Sequence, residues 1–171
     1  SVKTWGRHIA VAKDKAFAFV YHSILKDWTR AGAEVSFFSP LIDEAPRDNA
    51  DFIFLPGGYP ELYLEILSRN KNFVNGMRNA AKRGTAIFGE CGGYMVLGNG
   101  VVDRDGTRYP MLGLLELETS FEMPKLHLGY RELSLLEAGV LGCINQKFRG
   151  HEFHYASILK KGNHSPLFHV K

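Results

Sequence analysis

Residues 85–97 read TAIFGECGGYMVL, which is an apolar run, a glycine-rich turn and a second short apolar run. The first run is typical of a buried strand and the second of a short helix. A cysteine at such a turn has the layout of a nucleophile elbow, although a lone cysteine is more often a small buried apolar residue. With glycines on both sides, the sequence favours Cys91 as a nucleophile. We expect the positive end of the following helix to lower the pKa of its thiol.

The residues before this turn alternate between short apolar runs and helical patterns. The predicted strands are residues 8–12, 34–38, 52–55 and 85–88, and the predicted helices are residues 17–28, 61–67 and 73–81. Strands that alternate with helices are typical of an α/β fold with a doubly wound, mostly parallel, flavodoxin-like sheet and helices on both faces. Ligand sites of such sheets lie at the carboxyl ends of the strands, which is where Cys91 is expected.

The second half of the chain has a different pattern. Asp105-Gly106 is a hairpin signal, and residues 119–121, 126–133 and 148–155 have strand character without intervening helices. The sequence therefore predicts an antiparallel or mixed sheet that extends the first half. Because no linker or repeat interrupts the chain, residues 1–171 are predicted to form one domain.

The composition excludes several classes of protein. The 171 residues are 45% apolar with a formal net charge of +3, values typical of a globular chain rather than a disordered one. The basic residues are scattered, so no nucleic-acid surface is expected, and no apolar run approaches the roughly 18–20 residues of a membrane span. Two cysteines are too few for a disulfide framework, which predicts free thiols and a cytoplasmic protein. Cys143 lacks a turn like that of Cys91, so we expect it to be structural.

A cysteine nucleophile needs a base, and the seven histidines of the chain are candidates. Residues 150–155 read GHEFHY, which brings two imidazoles and a carboxylate into one predicted strand. Because alternate side chains of a strand face opposite ways, Glu152 and His154 share one face and His151 lies on the other. Only one of these two histidines can therefore face Cys91.

A second glycine turn follows the third predicted strand. Residues 55–61 read LPGGYPE, and the backbone N–H groups of such a turn can complete an oxyanion hole, the alternative being an ordinary turn. The chain contains neither G-x-x-x-x-G-K-[ST] nor G-x-G-x-x-G, so no nucleotide site is predicted. No group of histidines, cysteines and acidic residues has the spacing of a metal site, so no metal is predicted.

Four motifs together carry a family resemblance. Residues 55–61, 89–95, 126–131 and 149–155 read LPGGYPE, GECGGYM, LHLGYR and RGHEFHY. In this order they resemble the C-terminal glutaminase domain of cobyrinic or hydrogenobyrinic acid a,c-diamide synthases. Residues 7–14 fit the same family, so the resemblance covers nearly the whole chain.

The resemblance implies a class I, triad-type glutamine amidotransferase that hydrolyses glutamine through a cysteine thioester. Its ammonia would pass to an N-terminal synthetase domain of the same polypeptide, absent from these residues, which amidates the a and c carboxylates of the corrin in cobalamin biosynthesis. That domain would hold ATP, Mg²⁺ and most corrin contacts, so no cofactor is expected in this chain. The resemblance further implies that Cys91 is the nucleophile, that His154 is the base and acid, and that the N–H groups of Gly58 and Gly92 form the oxyanion hole.

One departure from the family pattern affects the activity expected. Triad amidotransferases end in His-x-Glu, whereas Ala156 stands two residues after His154. Glu90 or Glu152 could supply the missing acid, and without an acid we expect a slow glutaminase. Two other interpretations stay open: a related protease-like or deglycase-like α/β cysteine hydrolase, and a module that has lost catalysis and only docks on the synthetase half.

Overall fold

The first half of the molecule is built around a four-stranded parallel sheet. The computed structural model describes residues 4–171. The strands are β1 (His8–Ala12), β2 (Glu34–Phe38), β3 (Phe52–Leu55) and β4 (Ala86–Gly89). They lie in the order β2-β1-β3-β4 and every neighbouring pair is parallel. This order is that of a flavodoxin-like, doubly wound sheet, which confirms the predicted fold class.

Helices cover both faces of this sheet. They are α1 (His22–Arg30), α2 (Leu64–Arg69) and α3 (Lys71–Lys82), and short 3₁₀ turns occupy Pro40–Ile42 and Pro60–Leu62. On one face Trp28 of α1 packs with apolar side chains of β1 and β3, while α2 and α3 pack against the other face. Because both faces are covered, β1 and β3 are almost entirely buried, which explains their unbroken apolar runs.

The predicted helix over residues 17–28 is wrong at its start, because α1 begins only at His22. Ala16 and Phe17 are fully buried, but they lie in a loop. The Asp14 carboxylate organises this loop by accepting hydrogen bonds from the N–H groups of Ala16 (2.8 Å) and Phe17 (3.2 Å). The apolar spacing that indicated an earlier start thus includes Phe17, a loop residue that points into the core, and Tyr21, which is exposed.

The second half consists of two smaller sheets, as the predicted antiparallel or mixed extension requires. The mixed sheet contains β5 (Gly100–Val102), β6 (Arg108–Pro110), β7 (Leu117–Ser120) and β10 (Ser157–Lys161). The antiparallel sheet contains β8 (His127–Leu135), β9 (Lys147–His154) and β11 (Phe168–Val170), with β8 in the centre. Between residues 4 and 171, no helix has the length and apolar character needed to cross a bilayer.

Candidate active site

Cys91 stands at the sharp turn between β4 and the short helix α4 (Gly92–Leu97). Its backbone has φ +47° and ψ −109°, a strained conformation for a residue with a side chain. Hydrogen bonds fix the turn, because the Gly93 N–H donates to the Glu90 carbonyl (2.8 Å) and the Met95 N–H donates to the Cys91 carbonyl (3.1 Å). The backbone therefore has the geometry of the predicted elbow.

Small residues let this turn pack tightly on the parallel sheet. A Cβ atom on Gly93 would overlap the Leu55 carbonyl at the end of β3. A Cβ atom on Gly89 would lie 2.8 Å from the Gly93 carbonyl carbon. The glycines that flank Cys91 are thus required by close approach of backbone to backbone, and they set the position of the cysteine.

The second predicted glycine turn lies directly beside Cys91. A Cβ atom on Gly57 would be 3.4 Å from Cys91 Cβ, and one on Gly92 would be 3.5 Å from the Gly58 nitrogen. Within residues 4–171, neither the Gly58 nor the Gly92 N–H donates to a backbone carbonyl outside its own helix or strand. The fold thus brings together the two donors predicted for an oxyanion hole.

A cavity of about 1150 Å³ joins these groups. Its lining includes the candidate site residues Gly58, Glu90, Cys91 and His154. Glu61 and Arg104 line it as well, so the cavity offers both negative and positive side chains. It is large enough for a small polar molecule.

The prediction of a lowered thiol pKa is wrong. Although part of the Cys91 side chain contacts solvent, the protein atoms crowded around its thiol raise the pKa. The Gly92 N–H opposes this effect, and the negative charges of Glu61 and Glu90 add to it. The helix that follows Cys91 has only six residues. Glu90 stands next to Cys91 in the sequence, whereas the approach of Glu61 was not visible from the local sequence.

His154 is held at both ring nitrogens. Its Nδ1 lies 3.1 Å from the Ala156 carbonyl oxygen and its Nε2 lies 3.0 Å from Glu152 Oε1. The other carboxylate oxygen of Glu152 is 2.5 Å from Arg131 Nη2. The hydrogen bond with His154 and the Arg131 charge lower the pKa of Glu152.

These contacts distinguish between Glu90 and Glu152, the two candidates to replace the missing triad acid. Glu152 contacts His154 directly, whereas no hydrogen bond between residues 4 and 171 joins Glu90 to His154. Burial instead raises the pKa of Glu90, which lies beside Cys91 in the chain. Sequence reasoning missed Arg131, although it lies within the motif of residues 126–131.

The two histidines of β9 project from opposite faces of the strand, as their spacing predicts, but both line the cavity that contains Cys91. His151 is exposed and lies against Tyr130, with ring centroids 5.4 Å apart. His154 is half-buried and stacks on His127 of β8, with centroids 4.7 Å apart and ring planes at 14°. Only His154 has Glu152 as a hydrogen-bond partner on its own face.

One cluster has the ligand types of a metal site. Atoms of His127, Glu152 and His154 lie within 4.8 Å of one another. However, both Glu152 oxygens already have partners, and the positive charge of Arg131 disfavours a cation beside it. We therefore assign these side chains to hydrogen bonding, and the absence of a metal stays a prediction.

Cys143 differs from the expected structural cysteine because it is exposed. It lies in the loop between β8 and β9, where its N–H donates to the side chain of Gln146 (3.2 Å). Both cysteines are thus accessible, and the cavity rather than exposure distinguishes Cys91.

Comparisons with known proteins agree with this geometry. Residues 8–171 match the CobB/CobQ-like glutamine amidotransferase domain. The chain is 54% identical over 170 residues to a hydrogenobyrinate a,c-diamide synthase of Brucella anthropi, covering 99% of this chain and 38% of that protein. It is 53% identical over 175 residues to the protein of the same name from Rhizobium meliloti, covering 100% and 39%.

The chain thus spans less than half the length of these relatives. Two solved structures share the fold at low identity. PurLQS from Thermotoga maritima is 16% identical with a TM-score of 0.64, covering 96% of this chain and 74% of that one. A glutamine amidotransferase is 17% identical with a TM-score of 0.62, covering 94% and 78%. With its matching motifs and its elbow, the chain belongs to the CobB/CobQ-like glutamine amidotransferase family.

Proposed function

We propose that residues 1–171 form the glutaminase domain of a longer a,c-diamide synthase. The observation that carries this proposal is the placement of Cys91 in a strained elbow beside Gly58 and Gly92, in a chain that matches the synthases along nearly its whole length. The domain would hydrolyse glutamine and supply ammonia to the remaining part of the same polypeptide. That part corresponds to the length of the relatives that this chain does not cover.

The proposed reaction uses Cys91 as nucleophile and His154 as base and acid. His154 takes the thiol proton, and the sulfur attacks the side-chain amide carbon of glutamine. The N–H groups of Gly58 and Gly92 bind the oxyanion, and the proton from His154 goes to the leaving nitrogen, which departs as ammonia. Water, deprotonated by His154, then cleaves the glutamyl thioester to give glutamate and the free thiol.

The charges in the cavity suit the two ionic groups of glutamine. Glutamine carries an α-ammonium and an α-carboxylate at neutral pH. Glu61 and Arg104, which both line the cavity with Cys91, offer a partner of opposite charge to each group. We assign Arg104 to the carboxylate and Glu61 to the ammonium, which leaves the side-chain amide for the elbow.

The ammonia would be consumed in an ATP-dependent amidation. We propose that ATP, Mg²⁺ and most of the corrin bind outside this chain, because its sequence has no phosphate loop. The acceptors would be the a and c carboxylates of hydrogenobyrinic or cobyrinic acid, and the names of the relatives favour the former. We place the enzyme in the cytoplasm.

The test is an assay of the full-length enzyme with Mg-ATP, each corrin acid, and either glutamine or ammonium chloride as the nitrogen source. We expect diamide from both nitrogen sources in the wild type, detected by mass spectrometry. Cys91→Ala should lose only the glutamine-dependent product, because ammonium bypasses the thioester. Undiminished glutamine use by Cys91→Ala would contradict the role of Cys91 as nucleophile. Release of no glutamate by the wild type would contradict the proposal and favour a docking module or a different hydrolase.

A further inference from the structure

The inner face of the β8–β9 hairpin carries a row of polar contacts that ends at His154. Strand pairing sets His127 opposite His154 and Gly129 opposite Glu152. Arg131, two residues beyond Gly129, lies on the same face of β8. From there its guanidinium reaches Glu152 Oε2 at 2.5 Å, while Oε1 bonds His154.

Gly129 provides the space for this reach. A Cβ atom on Gly129 would overlap Arg131 Nη1 and lie 3.1 Å from its Cζ. The arginine side chain therefore folds back over the glycine toward the opposite strand. A side chain at residue 129 would force the guanidinium to shift from this position.

The contacts of His154 suit the charged form of its ring. A carboxylate and a backbone carbonyl only accept hydrogen bonds, so the contacts with Glu152 and Ala156 are both satisfied when both ring nitrogens carry protons. Neutral His154 has one proton and can satisfy only one of them. Both ring nitrogens are thus occupied in this structure, so Nδ1 must leave the Ala156 carbonyl to take the proton of Cys91. The imidazolium formed in this way keeps its contact with Glu152 through Nε2.

We propose that Glu152, held by Arg131 across Gly129, is a positioning residue that stabilises the His154 imidazolium in place of the acid absent at residue 156. This role rests on the proposed function, because it requires His154 to accept the proton of Cys91. Glu152 acts from the same strand as His154, whereas a triad acid would follow the histidine. The His127 ring of β8 stacks on His154. The other titratable or charged groups that line the cavity with His154 include Cys91, Glu61, Glu90, Arg104, Arg149 and His151.

The first test is Glu152→Gln in the full-length enzyme, with Glu132→Gln as control. Glu132 lies on the opposite face of the same hairpin, where it pairs with Lys147 at 3.1 Å. Loss of the carboxylate should lower kcat for glutamine hydrolysis about 100-fold or more, with little change in KM, because Glu152 is not among the residues that line the cavity. The imidazolium also loses its counter-charge, so the acidic limb of the kcat/KM profile should move to lower pH. Glu132→Gln should leave both unchanged.

A second set of variants tests whether Arg131 holds Glu152 in place. Arg131→Met should lower kcat about 10-fold, and Arg131→Lys should restore part of the loss, because lysine keeps the charge but not the paired geometry. Gly129→Ala should resemble Arg131→Met. The matched control is Gly139→Ala in the loop after β8, since a Cβ atom there meets nothing within 4 Å.

The outcomes separate this role from the proposed function. If Cys91→Ala abolishes glutamine hydrolysis while folded Glu152→Gln keeps the kcat and pH profile of Glu132→Gln, the positioning role is wrong and the glutaminase stands. If Cys91→Ala remains active, both fail. If Glu152→Gln does not fold, Arg131→Met and Arg131→Lys decide, and equal kcat values in these two and the wild type overturn the proposal.

Discussion

The Sγ of Cys91 lies 3.7 Å from the backbone carbonyl oxygen of Phe153, the residue immediately before His154. A carbonyl can only accept, so the thiol donates its proton to it and is held in its neutral form. Together with the raised pKa of Cys91, this contact indicates that the nucleophile is a protonated thiol before substrate binds. Entry of a substrate amide between the sulfur and β9 would break this contact.

A diazoketone analogue of glutamine should modify Cys91 and leave Cys143 intact. Both thiols are exposed, but only Cys91 lies in the cavity with charges for the α-amino and α-carboxylate groups. Mass spectrometry of a protease digest locates the adduct. As a control, iodoacetamide, which lacks the amino-acid groups, should also react with Cys143. An adduct of the analogue on Cys143 with Cys91 unmodified would refute the assignment of the nucleophile.

Glu61→Gln should lower the pKa of Cys91. The negative charge of Glu61 disfavours the thiolate, so its removal stabilises the thiolate and speeds alkylation near neutral pH. The measurement is the rate of iodoacetamide labelling against pH in a Cys143→Ser background. Glu65→Gln, on the exposed side of α2, is the control and should leave the profile unchanged. A Glu61→Gln profile that moves to higher pH contradicts this electrostatic account.

His154→Ala should lower glutamine hydrolysis by about 10³-fold or more, whereas His151→Ala should have a much smaller effect. The two rings occupy opposite faces of β9, and only His154 has the Glu152 contact. Steady-state kinetics of the full-length variants, each checked for folding by circular dichroism, measures the difference. The reverse ranking would show that His151 is the base.

The contribution of Glu152 to stability should depend on pH. Its pKa is lowered in the folded protein, so its stabilising effect is complete above the unfolded value of about 4.3 and is lost as the pH falls through the lower folded value. We expect Glu152→Gln to have a lower Tm than the wild type at pH 7 and the difference to shrink below about pH 4. Scanning calorimetry across this range measures it. A difference that is constant with pH means that the carboxylate charge does not stabilise the fold.

Local sequence patterns were sufficient for the parallel sheet. Residues 9–12 of β1 and 52–55 of β3 are apolar at every position because helices cover both faces, and such runs can be recognised without any tertiary knowledge. The same signal failed at residues 17–21, which form a loop in which only Phe17 is buried. Burial identifies core residues there, but not their backbone conformation.

The electrostatics of the site were less accessible from sequence. The elbow at Cys91 follows from neighbouring residues, whereas the charge of Glu61 reaches the thiol from a different turn of the chain. The contact of Arg131 with Glu152 depends on the register of β8 against β9, and a shift of one residue would place the two side chains on opposite faces. Such relations exist only once the strands are paired.

The loop between β1 and α1 has a consequence for the construction of chimeric amidotransferases. The Phe19 N–H donates to the Gly57 carbonyl (3.0 Å), and the Tyr59 N–H donates to the Ala16 carbonyl (3.1 Å). Backbone hydrogen bonds therefore join the loop to the glycine turn on both sides of Gly58, although about 40 residues of sequence separate them. Segments exchanged between relatives should carry residues 13–21 and 55–61 from the same parent, because a mismatched pair would alter the cavity around Cys91 without any change at the cysteine.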